Sequence, residues 1–270
     1  MKPHQYHAVR FFGSRGKAQG QFYCPRDIAI NAKTGNIAVV DFNNNRVQLF
    51  NSDGIYLREY GQKGLDAETL AYPMSVAFTN SGDVTICDSI DIFCFAESGQ
   101  FIKNISNKHL IKTRFITIAC DGRMLVSDSG DKTVKVLSPN GTELLKSLSF
   151  PGYDESPLVA LHHHERVFVS CDKTRCVKVF NNEGDFLYDI GTEGPGKLNR
   201  PVGLSVDKFN NLLVCDKKGG NVHVFTLEGK FVNSIKGQSA QFQEPWAVAV
   251  SNTGQVFITD TEKHCVHVFE

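Results

Sequence analysis

Six aspartates at near-even intervals constrain this chain more than any other feature. Asp41, Asp88, Asp128, Asp172, Asp216 and Asp260 follow one another at steps of 47, 40, 44, 44 and 44 residues. Each ends an apolar run, as in Gly35-Asn-Ile-Ala-Val-Val-Asp41. A short polar loop follows, and an alternating run then closes on Phe50, Phe95, Leu137, Phe180, Phe225 or Phe269. That pattern is two strands joined by a tight turn, repeated six times. An earlier strand opens each unit, at Pro25, Pro73, Pro157, Pro201 and Pro245, with Arg114-Phe115 replacing the proline in the third. After the closing apolar residue comes a glycine turn and a fourth strand, as in Ile55–Tyr60, Phe186–Ile190 and Phe231–Ile235. A helical solenoid of similar period would space its apolar residues at three and four, and no such spacing is present.

The expected fold is therefore all-β: one domain over residues 1–270, a six-bladed β-propeller of four-stranded antiparallel blades. The last unit stops at Glu270, after its third strand, while Ala8–Phe12 reads as a fourth strand without a blade. The amino-terminal strand is thus expected to complete the last blade and close the ring, which leaves only short sheet edges.

Asp-x-x-Asn-x-Arg-Val-x-x-Phe, standing here as Asp41 to Phe50 behind Pro25-Arg-Asp-Ile-Ala-Ile30, resembles the NHL repeat. The resemblance spans essentially the whole chain and is nearest to the carboxyl-terminal NHL propellers of tripartite-motif (TRIM) ubiquitin ligases. The later units drift, with Cys176, Asn221 and Cys265 where the first has Arg46. The resemblance implies a non-catalytic recognition module, the target-binding domain of a ligase or of a post-transcriptional regulator. TRIM relatives carry a RING, B-boxes and a coiled coil upstream, which this sequence does not show, so no ligase chemistry is expected of the chain itself.

Composition narrows the partners. Basic and acidic residues balance at 29 each, so no global field recruits nucleic acid or an anionic membrane. No apolar run approaches the roughly 18 residues of a membrane span. Eight cysteines show no Cys-x-x-Cys pair, and Cys87, Cys171 and Cys215 directly precede the repeating Asp inside strands, as small buried hydrophobes do. The expected state is a reduced, monomeric, cytoplasmic protein without cofactor or metal.

Propeller topology nevertheless segregates the charge. Loops entering each first strand and loops after each repeating Asp share one face, with an excess of bases: Arg26, Arg46, Arg114, Lys173, Arg175, Arg200, Lys217 and Lys218 among them. The opposite face is richer in acids, including Asp53, Asp83, Glu97, Asp121 and Glu143. Phe42, Tyr72, Phe115, Tyr153 and Trp246 accompany the bases, and Tyr72, Phe115 and Trp246 are the candidate stacking groups. Cations beside aromatics suit a protein partner, or single-stranded or hairpin RNA, where rings stack on splayed bases. The repeating aspartates read as turn-fixing acceptors.

The alternative is a metal-dependent propeller hydrolase or lyase, which needs His or carboxylates projecting into the central channel. The inner strands read as Ile, Ala, Val, Leu and Phe, with Ser75, Thr117 and Ser205 as polar exceptions. His162-His163-His164 lies in a turn where adjacent residues cannot easily converge on one ion. His223 and His267 read as outward strand positions.

Overall fold

The computed structural model describes residues 4–61, 69–89, 91–106, 108–150, 157–158, 160–236 and 242–270. Tyr153, expected on the basic face, lies outside them. The described residues form 24 strands in six four-stranded antiparallel sheets. The strand β1 (Ala8–Phe12) precedes the first complete blade, which comprises β2 (Pro25–Ile30), β3 (Ile37–Asp41), β4 (Arg46–Phe50) and β5 (Tyr56–Tyr60). The second is β6 (Ser75–Phe78), β7 (Val84–Cys87), β8 (Ile92–Phe95) and β9 (Phe101–Ile105). The third is β10 (Thr113–Ile118), β11 (Met124–Asp128), β12 (Thr133–Leu137) and β13 (Leu144–Leu148). The fourth is β14 (Ala160–His163), β15 (Arg166–Cys171), β16 (Cys176–Asn181) and β17 (Phe186–Ile190). The fifth is β18 (Pro201–Val206), β19 (Asn211–Asp216), β20 (Asn221–Thr226) and β21 (Phe231–Ile235). The sixth is β22 (Pro245–Val250), β23 (Val256–Asp260) and β24 (Cys265–Phe269), completed by β1.

Ring closure is as the sequence implies. β1 runs antiparallel to β24 with Phe12 opposite Val266 and Ala8 opposite Phe269. His7 and Glu270 extend the pairing by exchanging backbone hydrogen bonds of 2.7 and 2.9 Å. Phe12 then packs on Phe50 of the first blade at a ring separation of 5.1 Å, so the closing strand also touches the neighbouring blade.

The second and third strands are buried on both faces, because each blade is covered by one neighbour on either side. Thus β3, β4, β11, β12, β23 and β24 contain no exposed residue. That explains their near-continuous apolar runs, which differ from the alternation of a half-exposed sheet. Among the described residues the buried apolar side chains fall into six clusters, five drawn from two neighbouring blades and one, with Phe115, Phe168 and Leu204, from three. The cluster of Phe22, Val39, Phe50, Phe257 and Val268 joins the sixth blade to the first.

Double coverage also corrects the reading of His223 and His267 as outward. They are 6 % and 8 % exposed, and Gln48, Lys135 and Lys178 at the same third-strand position are as buried, at 0 %, 6 % and 3 %. Each polar group is accommodated by a local partner: Gln48 donates to the Gln21 carbonyl at 2.7 Å, Lys178 to Asp189 at 3.0 Å, and His223 shares a hydrogen bond with Ser234 at 2.9 Å. Burial lowers the pKa of both histidines from the ordinary value.

Candidate binding face

The loop face is built on the repeating aspartates. Asp216 accepts from the backbone N–H of Asn199 at 2.9 Å and of Arg200 at 2.7 Å, in the loop entering β18. Asp128 does the same for Ile111 and Lys112, and Asp260 for Gln243 and Glu244. Asp88 takes Ala71 and Tyr72. The reach is constant at 17 and 16 residues back along the chain, so a single side chain ties the loop after the second strand to the loop before the first. These four acids and Asp41 are at most 5 % exposed. A carboxylate suits the place because it is acceptor-only with two oxygens. Gly219 permits it in the fifth blade, since a Cβ there would lie 2.3 Å from Asp216 Oδ2. Asp172 is less buried: its side chain is 42 % exposed and pairs with Arg200 across the blade boundary at 3.1 Å.

Two residues expected on the surface are withdrawn from it. Arg46 is 9 % exposed, with Nε on Asp41 at 2.9 Å and one terminal nitrogen on Glu59 at 2.7 Å. Its other terminal nitrogen donates to the carbonyls of Ala18 and Gln21. All three of its nitrogens are engaged, two within the first blade and one on the amino-terminal loop, which withdraws it from the face. Phe115 is 5 % exposed and packs with Phe168, Leu204 and Trp246, which removes it from stacking on a ligand.

The other expected residues remain at the face. Tyr72 is 59 % exposed, and Lys173, Arg175 and Lys218 are exposed. Arg200 and Lys217 are partly buried, the latter paired with Glu244 at 2.8 Å. Among the described residues, Arg26, Arg114, Arg175 and Lys218 are the expected cations without a carboxylate at ion-pair distance.

Arg26, Arg114 and Trp246 converge on one end of the central channel. The channel is a cavity of about 230 Å³ whose wall begins at Asp27 in β2 and at Ser75, Phe115, Gly203 and Ala247 in the other inner strands. The residues one place earlier form the ring around its mouth. Bulges in β2, β10 and β22 fall at these positions and re-aim the side chains. The Arg26 guanidinium lies over the Phe42 ring at 3.4 Å and the Trp246 ring at 4.9 Å, with Met74 Sδ 3.4 Å away. Lys217 stands 4.4 Å from the same indole. Gly203 lets the fifth and sixth blades approach here, since a Cβ would meet Ala247 Cα at 2.5 Å.

Asp27, absent from the expected polar exceptions, enters the channel wall. Its carboxylate accepts from Ser75 Oγ and from the Val76 N–H at 3.0 Å, bridging two blades. Burial pushes its pKa up to about 6, against the opposing effect of those hydrogen bonds. The signal was present in the repeat itself: aligned on the opening proline, Arg26 and Asp27 are charged where the other units carry Trp246 and Ala247 or Val202 and Gly203.

A larger open groove of about 670 Å³ lies between the sixth and first blades on the opposite face. Its donors already stitch blades together: Lys33 to the Ser81 carbonyl, Asn252 to the Ala32 carbonyl and Asn31 to Glu97. Among the histidines of the turn in the fourth blade, His163 and His164 stack edge to face at 4.3 Å, and the side chain of His162 lies outside the described set. Among the described residues no three His, Cys, Asp or Glu side chains are placed to share a metal ion.

Comparison with known proteins agrees with this architecture. Residues 22–50 and 242–269 match the NHL repeat family. The chain is 27 % identical over 98 % of its length to the E3 ubiquitin-protein ligase NHLRC1 of Mus musculus, spanning 69 % of that protein. Half of it is 32 % identical to the protein brain tumor of Drosophila melanogaster, covering 13 % of that protein. It is 24 % identical over 97 % of its length to the E3 ubiquitin-protein ligase TRIM32 of Mus musculus, and spans 44 % of it. A streptogramin B lyase structure shares the fold at a TM-score of 0.67 and 12 % identity, covering 98 % of this chain and 97 % of the lyase. The chain is thus a six-bladed β-propeller that carries matches to the NHL repeat and is similar to TRIM-NHL-type proteins.

Proposed function

We propose that this propeller is a non-catalytic recognition domain of the TRIM-NHL ubiquitin-ligase type and binds a protein partner on its basic loop face. The observation that carries the reading is the tethering of the loops by buried aspartates. It holds Tyr72, Arg200, Lys217 and Lys218 on a preformed surface beside the exposed Arg175, and preorganisation reduces the ordering cost of binding. Similarity to two E3 ligases supports the same reading. Of the described channel-wall residues, Asp27 alone is titratable, and general acid–base work on a substrate ordinarily needs a second group to return the proton.

RNA is the competing occupant. Internal ion pairs at Arg46, Arg200 and Lys217 leave the face with fewer cations for phosphates than the sequence alone implies. If Arg26, Arg114, Arg175 and Lys218 all met phosphates, log affinity would fall against log salt with a slope of about −3, from roughly 0.7 per contact on a single strand. The test compares the wild-type chain with Arg175→Glu/Lys218→Glu and with the opposite-face control Lys33→Glu/Lys208→Glu, each used to capture proteins from lysate and to retain random single-stranded RNA on filters. The reading expects protein capture lost only in the first variant. Retention of RNA lost in the first variant, with protein capture unchanged, would overturn it.

A further inference from the structure

At the mouth of the channel two guanidinium groups, of Arg26 and Arg114, have no carboxylate at ion-pair distance among the described residues. Arg26 and Arg114 occupy the same ring position in the first and third blades. Each directly precedes a residue of the channel wall, Asp27 and Phe115, and burial together with the Arg114 charge lowers the Arg26 pKa from its ordinary value. Guanidinium nevertheless stays protonated. The partners of Arg26 are two rings and the Met74 thioether; that of Arg114 is the Ser129 hydroxyl at 3.2 Å. Neighbouring cations are neutralised in place, Arg200 by Asp172 and Lys217 by Glu244. Polar satisfaction is also incomplete here. Arg26 Nε, Arg200 Nε and Trp246 Nε1 are three of the six buried side-chain polar atoms that lack a hydrogen-bond partner among the described residues. Like charges held together in a partly buried place are costly unless an opposite charge joins them, and unsatisfied donors call for an acceptor.

We propose that Arg26 and Arg114, with the Phe42 and Trp246 rings as walls, seat an acidic side chain of a peptide segment from the protein partner. The aromatic walls fix the Arg26 plane, so a carboxylate meets a donor array whose entropy is already lost, and charge-assisted hydrogen bonds of this kind are the strong ones. A single acidic side chain fits better than a nucleic-acid backbone. Asp27 follows Arg26 into the channel wall, and Glu244 pairs with Lys217 against the same Trp246 indole, so an extended polyanion crossing the mouth passes these acids whereas a single carboxylate spans only the guanidinium groups. This inference rests on protein recognition by the loop face and names the chemistry of its centre.

Random dodecapeptides displayed on phage and selected on the immobilised full chain test it. Enriched peptides should share one Asp or Glu. Replacing that residue by Asn or Gln in synthetic peptides should weaken binding at least about tenfold. Arg26→Met/Arg114→Met should do the same while Arg175→Glu does so less, and the first of these readouts needs no variant protein to fold. Enrichment of peptides without a common acid, or equal binding of the neutralised peptides, would overturn the seat while leaving recognition on this face intact. No enrichment, together with retention of random single-stranded RNA that Arg26→Met abolishes, would overturn the seat and the protein-recognition reading together.

Discussion

Asp216 binds three backbone N–H groups, those of Asn199, Arg200 and Gly219, from a position 1 % exposed. Removing its carboxylate strands these donors, at about 1–3 kcal/mol for each one left buried and unpaired. Asp216→Ala should therefore cost about 3 kcal/mol or more in denaturant unfolding, and Asp216→Asn less, since the amide keeps one acceptor oxygen. Equal stability of Asp216→Ala and wild type would contradict the anchoring role. Asp27 works in the opposite sense. Its pKa is raised to about 6, above the roughly 3.9 of an unfolded aspartate, so the folded state binds more protons between those values. Its contribution is fully present below about pH 4 and is lost as pH rises through 6. Asp27→Asn, which keeps an acceptor for Ser75 and Val76, should raise the melting temperature at pH 7.5, by the equivalent of about 1–2 kcal/mol. The gain should shrink toward pH 4.5. A variant less stable at pH 7.5 than at pH 4.5, relative to wild type, would show that the ionised form is favoured.

At the level of elements, strands and blades were legible because their apolar runs repeat. The closing strand β1 was readable from a count: a fourth strand at one end, a missing one at the other. Side-chain roles were less legible where tertiary contacts decide them. Arg46 sits in a face loop by sequence, yet it folds back on Asp41 and Glu59, fifth and thirteenth neighbours whose convergence only the blade twist produces. Phe115 was counted with the face loops and His223 was read as outward because polar residues share its position, but both lie in strands covered by neighbouring blades on either side. Deleting residues 1–12 tests the closure directly. It removes the β1 ladder and the packing of Phe12 on Phe22 and Phe50, worth at least about 2 kcal/mol for the ring alone. Because each blade buries its faces only against neighbours, the loss should appear as one lowered thermal transition of the whole domain. An unchanged melting temperature would show that β1 contributes nothing to the ring.

Over the whole molecule, the two ends of the propeller are built for different work. On one, side chains such as Lys33, Asn252 and Glu97 are spent joining adjacent blades. On the other, buried acids hold the loops and leave Tyr72, Arg175 and Lys218 presented outward around a cationic channel mouth. The central claim is that protein partners dock on this second end. Photo-crosslinking tests it with two positions of similar exposure, Tyr72 at 59 % on the loop face and Phe209 at 50 % on the other. Each is replaced in turn by benzoylphenylalanine and irradiated in lysate. The account predicts discrete protein adducts from position 72 that Arg175→Glu/Lys218→Glu suppresses, and none shared with position 209. Adducts forming only from position 209 would contradict it.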